Sequence, residues 1–197
     1  LLICIVMLVA TVIYGRQRII AINESIATAA TARVSVVQGN IEQGIKWDPA
    51  FQLSTVQKHI GLSLAAQKEF PDLVVWPETA TSFYFLHNQA LTTLVKQGIV
   101  EAEADFLIGS PSFQRYENRI EYYNSAYLID SNGQVRGKYD KAHLVPFGEY
   151  VPFKKWLPFL GKIVAQVGDF YPGRKGHTIQ WREARLGTLI CYEGIFP

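Results

Sequence analysis

Only two cysteines and one methionine occur in these 197 residues, and charge is sparse. Cys4 lies in an apolar N-terminal run and Cys191 near the far end. A disulfide between them is not expected, and the cysteine count fixes no redox compartment. Charged residues make up 18% of the chain, and the net charge of +2 is spread evenly. That leaves no basic surface from which to argue nucleic-acid binding. No G-x-G-x-x-G or P-loop string is present, so the common phosphate-cradling loops are missing. His59, His87, His143 and His177 show no metal-ligand spacing, and no Ser/His/Asp triad stands out. The sequence is therefore read as one that uses no metal and no cofactor. It holds no repeat and no low-complexity tract.

Apolar and aromatic residues are abundant, at 49% and 13%. The length suits one domain with a substantial core. Leu1 to Ile13 carries no charge. A membrane span needs roughly 20 apolar residues, so this run reads as the end of a transmembrane helix (1–15) whose start is missing. The alternative is a buried first helix or strand. Gly15, Arg16 and Arg18 would mark the membrane exit, and the positive-inside rule puts such arginines on the cytoplasmic side. Residues 16–32 are small, polar and mixed, and read as a linker.

Beyond residue 33 the pattern alternates between strand and helix. A short strand is expected in "ARVSVVQGNI" (32–41), with Gly39-Asn40 as its stop. Asp48-Pro49 is a helix start, and Leu53, Val56, Ile60 and Leu64 keep helical spacing over about 49–69. Leu73 to Trp76 reads as a buried strand, 87–104 as a helix broken near Gly98, and 105–111 as a third strand. Residues 122–130 and 134–141 form a hairpin around Ser131-Asn132-Gly133. Two further strands are expected at about 177–181 and 185–190. This order predicts an α/β sandwich with a mixed sheet.

Glu78, Lys141 and Cys191 all stand at strand ends or just past them. Each has an ordinary reading: a surface turn, a solvated lysine, a small core thiol. Together they meet a chemical requirement. A thiol of pKa ~8.5 needs a base or a cation beside it to act as a nucleophile. Glu78 can take the proton, and Lys141 can stabilise the thiolate and then an oxyanion. The backbone N–H of Tyr192 is a second oxyanion donor, and Glu149 is the carboxylate that would orient Lys141.

The strings "VVWPET" (74–79), "KYDKAHLVPFGEYVPF" (138–153) and "LICYEGIFP" (189–197) resemble the nitrilase superfamily, and within it the apolipoprotein N-acyltransferases. "QGNIEQGIKWDP" (38–49) resembles the opening of that enzyme's catalytic domain. The resemblance covers about 33–197. It implies a nitrilase-like α-β-β-α sandwich, a Glu78–Lys141–Cys191 triad, and supporting roles for Glu149 and Glu193. It sets Asn124 and Trp47 near the active site or substrate entrance. It also implies membrane helices around a catalytic domain that continues past the nucleophile, so this domain is expected to lack its C-terminal part.

The implied reaction moves a fatty acyl chain from a phospholipid donor, through a thioester on Cys191, to the N-terminal amine of a diacylglyceryl-cysteine apolipoprotein. The implied location is the bacterial inner membrane, with the catalytic domain on the periplasmic side. Two alternatives are a nitrilase-type amidase that uses water as acceptor and a non-catalytic, membrane-anchored binding module. Independently of any family, "VPFKKWLPFLGKIVAQVGDFYPG" (151–173) mixes Phe153, Trp156 and Phe159 with lysines, as a bilayer interface favours. "SFYFL" (82–86), with Phe83 and Phe85, is a second apolar loop. Both are expected to contact lipid or, alternatively, to be ordinary core.

Overall fold

The structure is a computed structural model that describes residues 1–150, 152 and 169–196. The chain divides into two compact units, Leu1–Ala32 and Arg33–Pro197.

The first unit is one helix, α1, spanning Leu2–Thr28, and none of its residues is buried. Its 27 residues have a mean hydropathy of 1.7 over the most apolar stretch. At about 1.5 Å per residue it reaches about 40 Å, which is long enough for ~30 Å of hydrocarbon. By length and composition it can cross a membrane. The expected linker at 16–32 is corrected here: the helix continues through Arg16 and Arg18 to Thr28. Arg, Gln, Glu and Ala are good helix formers, no proline interrupts them, and Ile19, Ile20, Ile22 and Ile26 extend the apolar character.

In the second unit five strands form one sheet in the order β1 (Val34–Val36), β2 (Leu73–Val75), β3 (Asp105–Tyr116), β4 (Arg119–Ile129), β5 (Val135–Asp140). β1, β2 and β3 run parallel, and β3, β4 and β5 antiparallel. The parallel half needs crossovers, supplied by α2 (Gln52–Ala66) and α3 (Gln89–Ala102). Asp48 caps the turn that leads into α2, its side chain accepting from Ala50 N at 2.9 Å. Asn88 caps α3 through Leu91 N.

Period-two alternation assigns the two sheet faces. Val74, Phe106, Ile108 and Ile129 join Val56, Val95 and Ile99 in one core cluster on the helix side. Leu73, Ala126, Leu128 and Tyr139 form a second cluster with Ile179, Trp181 and Ile190. Ile179 and Trp181 belong to a small hairpin, β6 (Ile179–Trp181) and β7 (Ala184–Leu186). Helices thus cover one face and the hairpin the other.

Two expectations about these elements change. The last strand stops at Leu186 rather than running to Ile190, because β6 offers only three partners, ending with Ile179 opposite Leu186. α3 is unbroken at Gly98. That glycine lies against α2, where a Cβ would sit 2.8 Å from Ile60 Cγ1 and Cγ2. It serves close helix–helix approach and does not end the helix. Gly98→Ala gains about 1 kcal/mol of helix propensity but overpacks a stiff β-branched neighbour by about 1–3 kcal/mol. Net destabilisation of about 1 kcal/mol is expected in chemical denaturation, and a stabilised variant would refute the packing role.

Candidate active site

Four segments deliver the polar side chains of the site. β2 ends at Val75, and Glu78 follows on the loop at its carboxyl end. This loop presses on β3 at Gly109, where a Cβ would lie 2.3 Å from Pro77 O and 2.8 Å from Glu78 Cα. No other residue fits at 109 without displacing Glu78. Asn124 sits within β4, and Lys141 directly follows β5, its N–H bonded to Asn124 O at 2.8 Å. Glu149 comes from the next loop, braced by Val145 N donating to its Oε2 at 2.9 Å.

These four side chains form one network. Lys141 Nζ lies 3.0 Å from Glu149 and 3.6 Å from Glu78 Oε1. Asn124 Nδ2 donates to Glu78 Oε1 at 2.6 Å and to Glu149 Oε1 at 2.9 Å. The lysine side chain is 1% exposed, Glu149 13% and Glu78 33%. A buried ammonium needs its carboxylates, and removing one partner of such a pair typically costs about 3–5 kcal/mol. Glu78 is the member of the network most open to an incoming molecule. Glu149 is the inner support.

Cys191 is exposed and has φ +50°, in the left-handed region that a residue with a Cβ seldom adopts. It opens a short 3₁₀ turn, Cys191–Ile195. Tyr192 N–H falls in the first turn, where amides have no intrahelical acceptor. Glu193 ties this corner to the lysine segment. Its carboxylate accepts from Ile190 N at 2.9 Å, Ala142 N at 2.8 Å, His143 N at 3.0 Å and Tyr139 Oη at 2.8 Å. Residues adjoining Cys191 and residues adjoining Lys141 therefore share one carboxylate. Burial opposes the charge on Glu193, but the His143, Ile190 and Ala142 amides and the Tyr139 hydroxyl outweigh it and hold the carboxyl below its usual range. Burial, then the Glu193 hydrogen bond and charge, raises the Tyr139 phenol.

The aromatic expectations divide. Trp47 is half-exposed and lines a groove of about 400 Å³ with Phe83, Tyr84, Pro111 and Phe170. Phe85 is corrected: it is 0% exposed, with its ring packed on Tyr127 at 5.3 Å, and contacts no surface. The 82–86 loop turns Phe83 and Phe85 inward and leaves Tyr84 and Leu86 exposed. Phe153, Trp156 and Phe159 lie outside the described residues. Tyr192 packs edge-on against Phe196 and lines a second apolar cavity, of about 500 Å³, with His143, Leu144, Pro146 and Tyr150. Sequence reasoning missed Lys46, whose Nζ donates to the Glu78 carbonyl at 3.2 Å. A lysine in a polar stretch carries no signal for such a contact.

A mixed sheet with helices on one face, a buried lysine between two glutamates and an exposed cysteine at a chain corner define the class. The chain belongs to the carbon-nitrogen hydrolase family, whose pattern matches residues 33–197. Among similar proteins, the apolipoprotein N-acyltransferase of Geobacter metallireducens is 44% identical over 194 residues, which is 98% of this chain and 36% of that protein. That of Brucella suis biovar 1 is 37% identical over 172 residues, covering 83% of this chain and 32% of that protein. The chain thus spans about a third of the length of these curated relatives. Two solved structures share its fold. A carbon-nitrogen hydrolase from Helicobacter pylori G27 superposes with a TM-score of 0.57 at 17% identity, over 82% of this chain and 52% of that one. A variant of the amidase from Nesterenkonia sp. AN1, bearing the acetamide moiety of fluoroacetamide on its active-site cysteine, superposes at 0.53 with 17% identity, over 82% and 56%.

Glu193 predicts an acid-sensitive clamp. Its folded-state pKa is depressed from 4.5, so its contribution is complete above that pH and is lost as pH falls through the folded value. Glu193→Gln leaves amide donors facing donors and is expected to cost about 2–3 kcal/mol at pH 7. The gap to the native chain should narrow progressively as the pH is lowered below 4.5, measured by urea unfolding. A gap independent of pH would contradict the assignment.

Proposed function

We propose that this chain carries the catalytic domain of a membrane N-acyltransferase that acylates lipoproteins. The observation that carries the reading is the shared Lys141 ammonium between Glu78 and Glu149, with the Glu193 carboxylate joining the residue after Lys141 to the residue before Cys191. The identity to apolipoprotein N-acyltransferases supports the substrate class. The apolar α1 supports a membrane setting. We place the reaction at the bacterial inner membrane, with this domain on the periplasmic side.

Cys191 Sγ attacks the ester carbonyl of a phospholipid, and Glu78 takes the thiol proton. The carbonyl oxygen becomes an oxyanion, stabilised by Lys141 Nζ and Tyr192 N–H. The C–O bond breaks, Glu78 returns the proton to the departing lysophospholipid alkoxide, and a thioester remains. The N-terminal amine of a diacylglyceryl-cysteine apolipoprotein then attacks the thioester carbonyl. Glu78 takes a proton from the amine, the C–S bond breaks, and the proton passes to the sulfur. The product is an amide and the thiol is restored. Glu149 and Asn124 hold Lys141 and Glu78 in place throughout. The Trp47–Phe83–Tyr84 groove is where an acyl chain would lie.

The full membrane protein, incubated in detergent with phospholipid, is expected to gain the mass of one acyl chain. The adduct should be labile to hydroxylamine and absent from Cys191→Ala. Glu149→Gln should slow adduct formation by about 10²–10³-fold, the usual effect of weakening an oxyanion-stabilising group. Fatty acid released to water without transfer to a lipopeptide would favour an amidase-like hydrolase. No adduct at all would favour a binding module.

A further inference from the structure

Glu78 lines a second, separate space. A cavity of about 220 Å³ lies between the segments that follow the parallel strands β1 and β2, with Gln38, Gly39, Lys46, Thr55, His59 and Glu78 among its walls. The carboxyl ends of parallel strands are where α/β sheets bind ligands. The volume falls below the ~300–1,000 Å³ of a site for a whole ligand, so it suits one part of a larger substrate.

Two polar groups in its wall have unused capacity. His59 is 1% exposed and donates from Nδ1 to Thr55 O at 2.8 Å, which leaves Nε2 as a lone-pair acceptor. That Nε2 is buried and has no partner among the described residues. It faces Gly39, where even a Cβ would come within 2.6 Å. Lys46 Nζ spends one donor on the Glu78 carbonyl at 3.2 Å and has two more. The wall therefore offers one acceptor and one cationic donor, next to the proposed base.

We propose that this cavity is the subsite for the first peptide unit of the acceptor, the amide that follows its lipid-modified N-terminal cysteine. The inference rests on the acyl-transfer reading above. An amide presents an N–H to His59 and a carbonyl to Lys46 together. A lipid phosphate satisfies only Lys46 and is repelled by the His59 lone pair and by Glu78. A headgroup ammonium is repelled by Lys46. Burial keeps the imidazole neutral against the opposing Thr55 bond, with Lys46 and Lys58 adding to the effect. Because Glu78 forms part of the same wall, a peptide held here presents its terminal amine to the carboxylate that would deprotonate it.

The test compares two acceptors on the full-length enzyme, preloaded as thioester. One is a diacylglyceryl-cysteinyl peptide, and the other is the same lipid-modified amine lacking the carbonyl and everything beyond it. Single-turnover rates should favour the peptide in the native enzyme. Lys46→Met and His59→Leu should each slow transfer to the peptide by about tenfold while the truncated amine is affected far less, so the preference collapses. An unchanged preference would mean that the cavity holds water only and would overturn the subsite. Equal slowing of thioester formation and of both acceptors would assign these residues to supporting the Glu78 loop, and would also overturn it. If His59→Leu does not fold, Lys46→Met decides alone. A native enzyme that forms no thioester would instead defeat the acyl-transfer reading itself.

Discussion

A lysine ammonium held away from water cannot stand alone, and that of Lys141 organises everything around it. Its charge requires Glu149, which requires the Val145 amide and the turn that carries it. It also draws in Glu78, whose loop must then lie flat on β3, and that is feasible only over a glycine at 109. Asn124 joins the two carboxylates through both hydrogens of one amide nitrogen, so like charges are kept near each other without direct contact. The proposed catalytic groups and the stability of the fold draw on the same few bonds here.

Glu193 does for the backbone what Lys141 does for the side chains. One buried carboxylate accepts three main-chain amides and a phenol from two segments about fifty residues apart. Carboxylates that accept several N–H bonds stay ionised. The strained φ of Cys191 sits directly beside this anchor, and strain at a functional corner persists when its surroundings over-determine it. Ile190 before the cysteine and Glu193 two residues after it are bonded to each other, and the exposed cysteine stands at the corner between them.

The strand-end position of Glu78 was legible because an apolar run stops at Trp76, and that of Lys141 because the Ser131-Asn132-Gly133 turn sets a returning strand that ends there. The Asp48-Pro49 start was legible from capping chemistry alone. Other features were not, for identifiable reasons. Residues 16–28 mix polar and apolar types without a clean period, so their helix is invisible to pattern even though each residue tolerates it. Gly98 looks like a breaker in one dimension and is a contact in three. Phe85 and Tyr84 are neighbours of similar type, and only the path of the loop decides which is core. Three of the four donors to Glu193 and the acceptor for Lys46 are main-chain groups, which leave no mark on the sequence.

The spacing of the network along the chain also bears on the order in which it can assemble. Lys141 and Glu149 are 8 residues apart, whereas Glu78 and Asn124 are 46 apart. Closing the longer loop costs about 1.5 kcal/mol more in chain entropy. The ammonium can therefore meet its inner carboxylate within the nascent β5 region, before the parallel half of the sheet has come together. Chain entropy thus favours an order in which the ammonium gains its inner partner before the more exposed acid arrives.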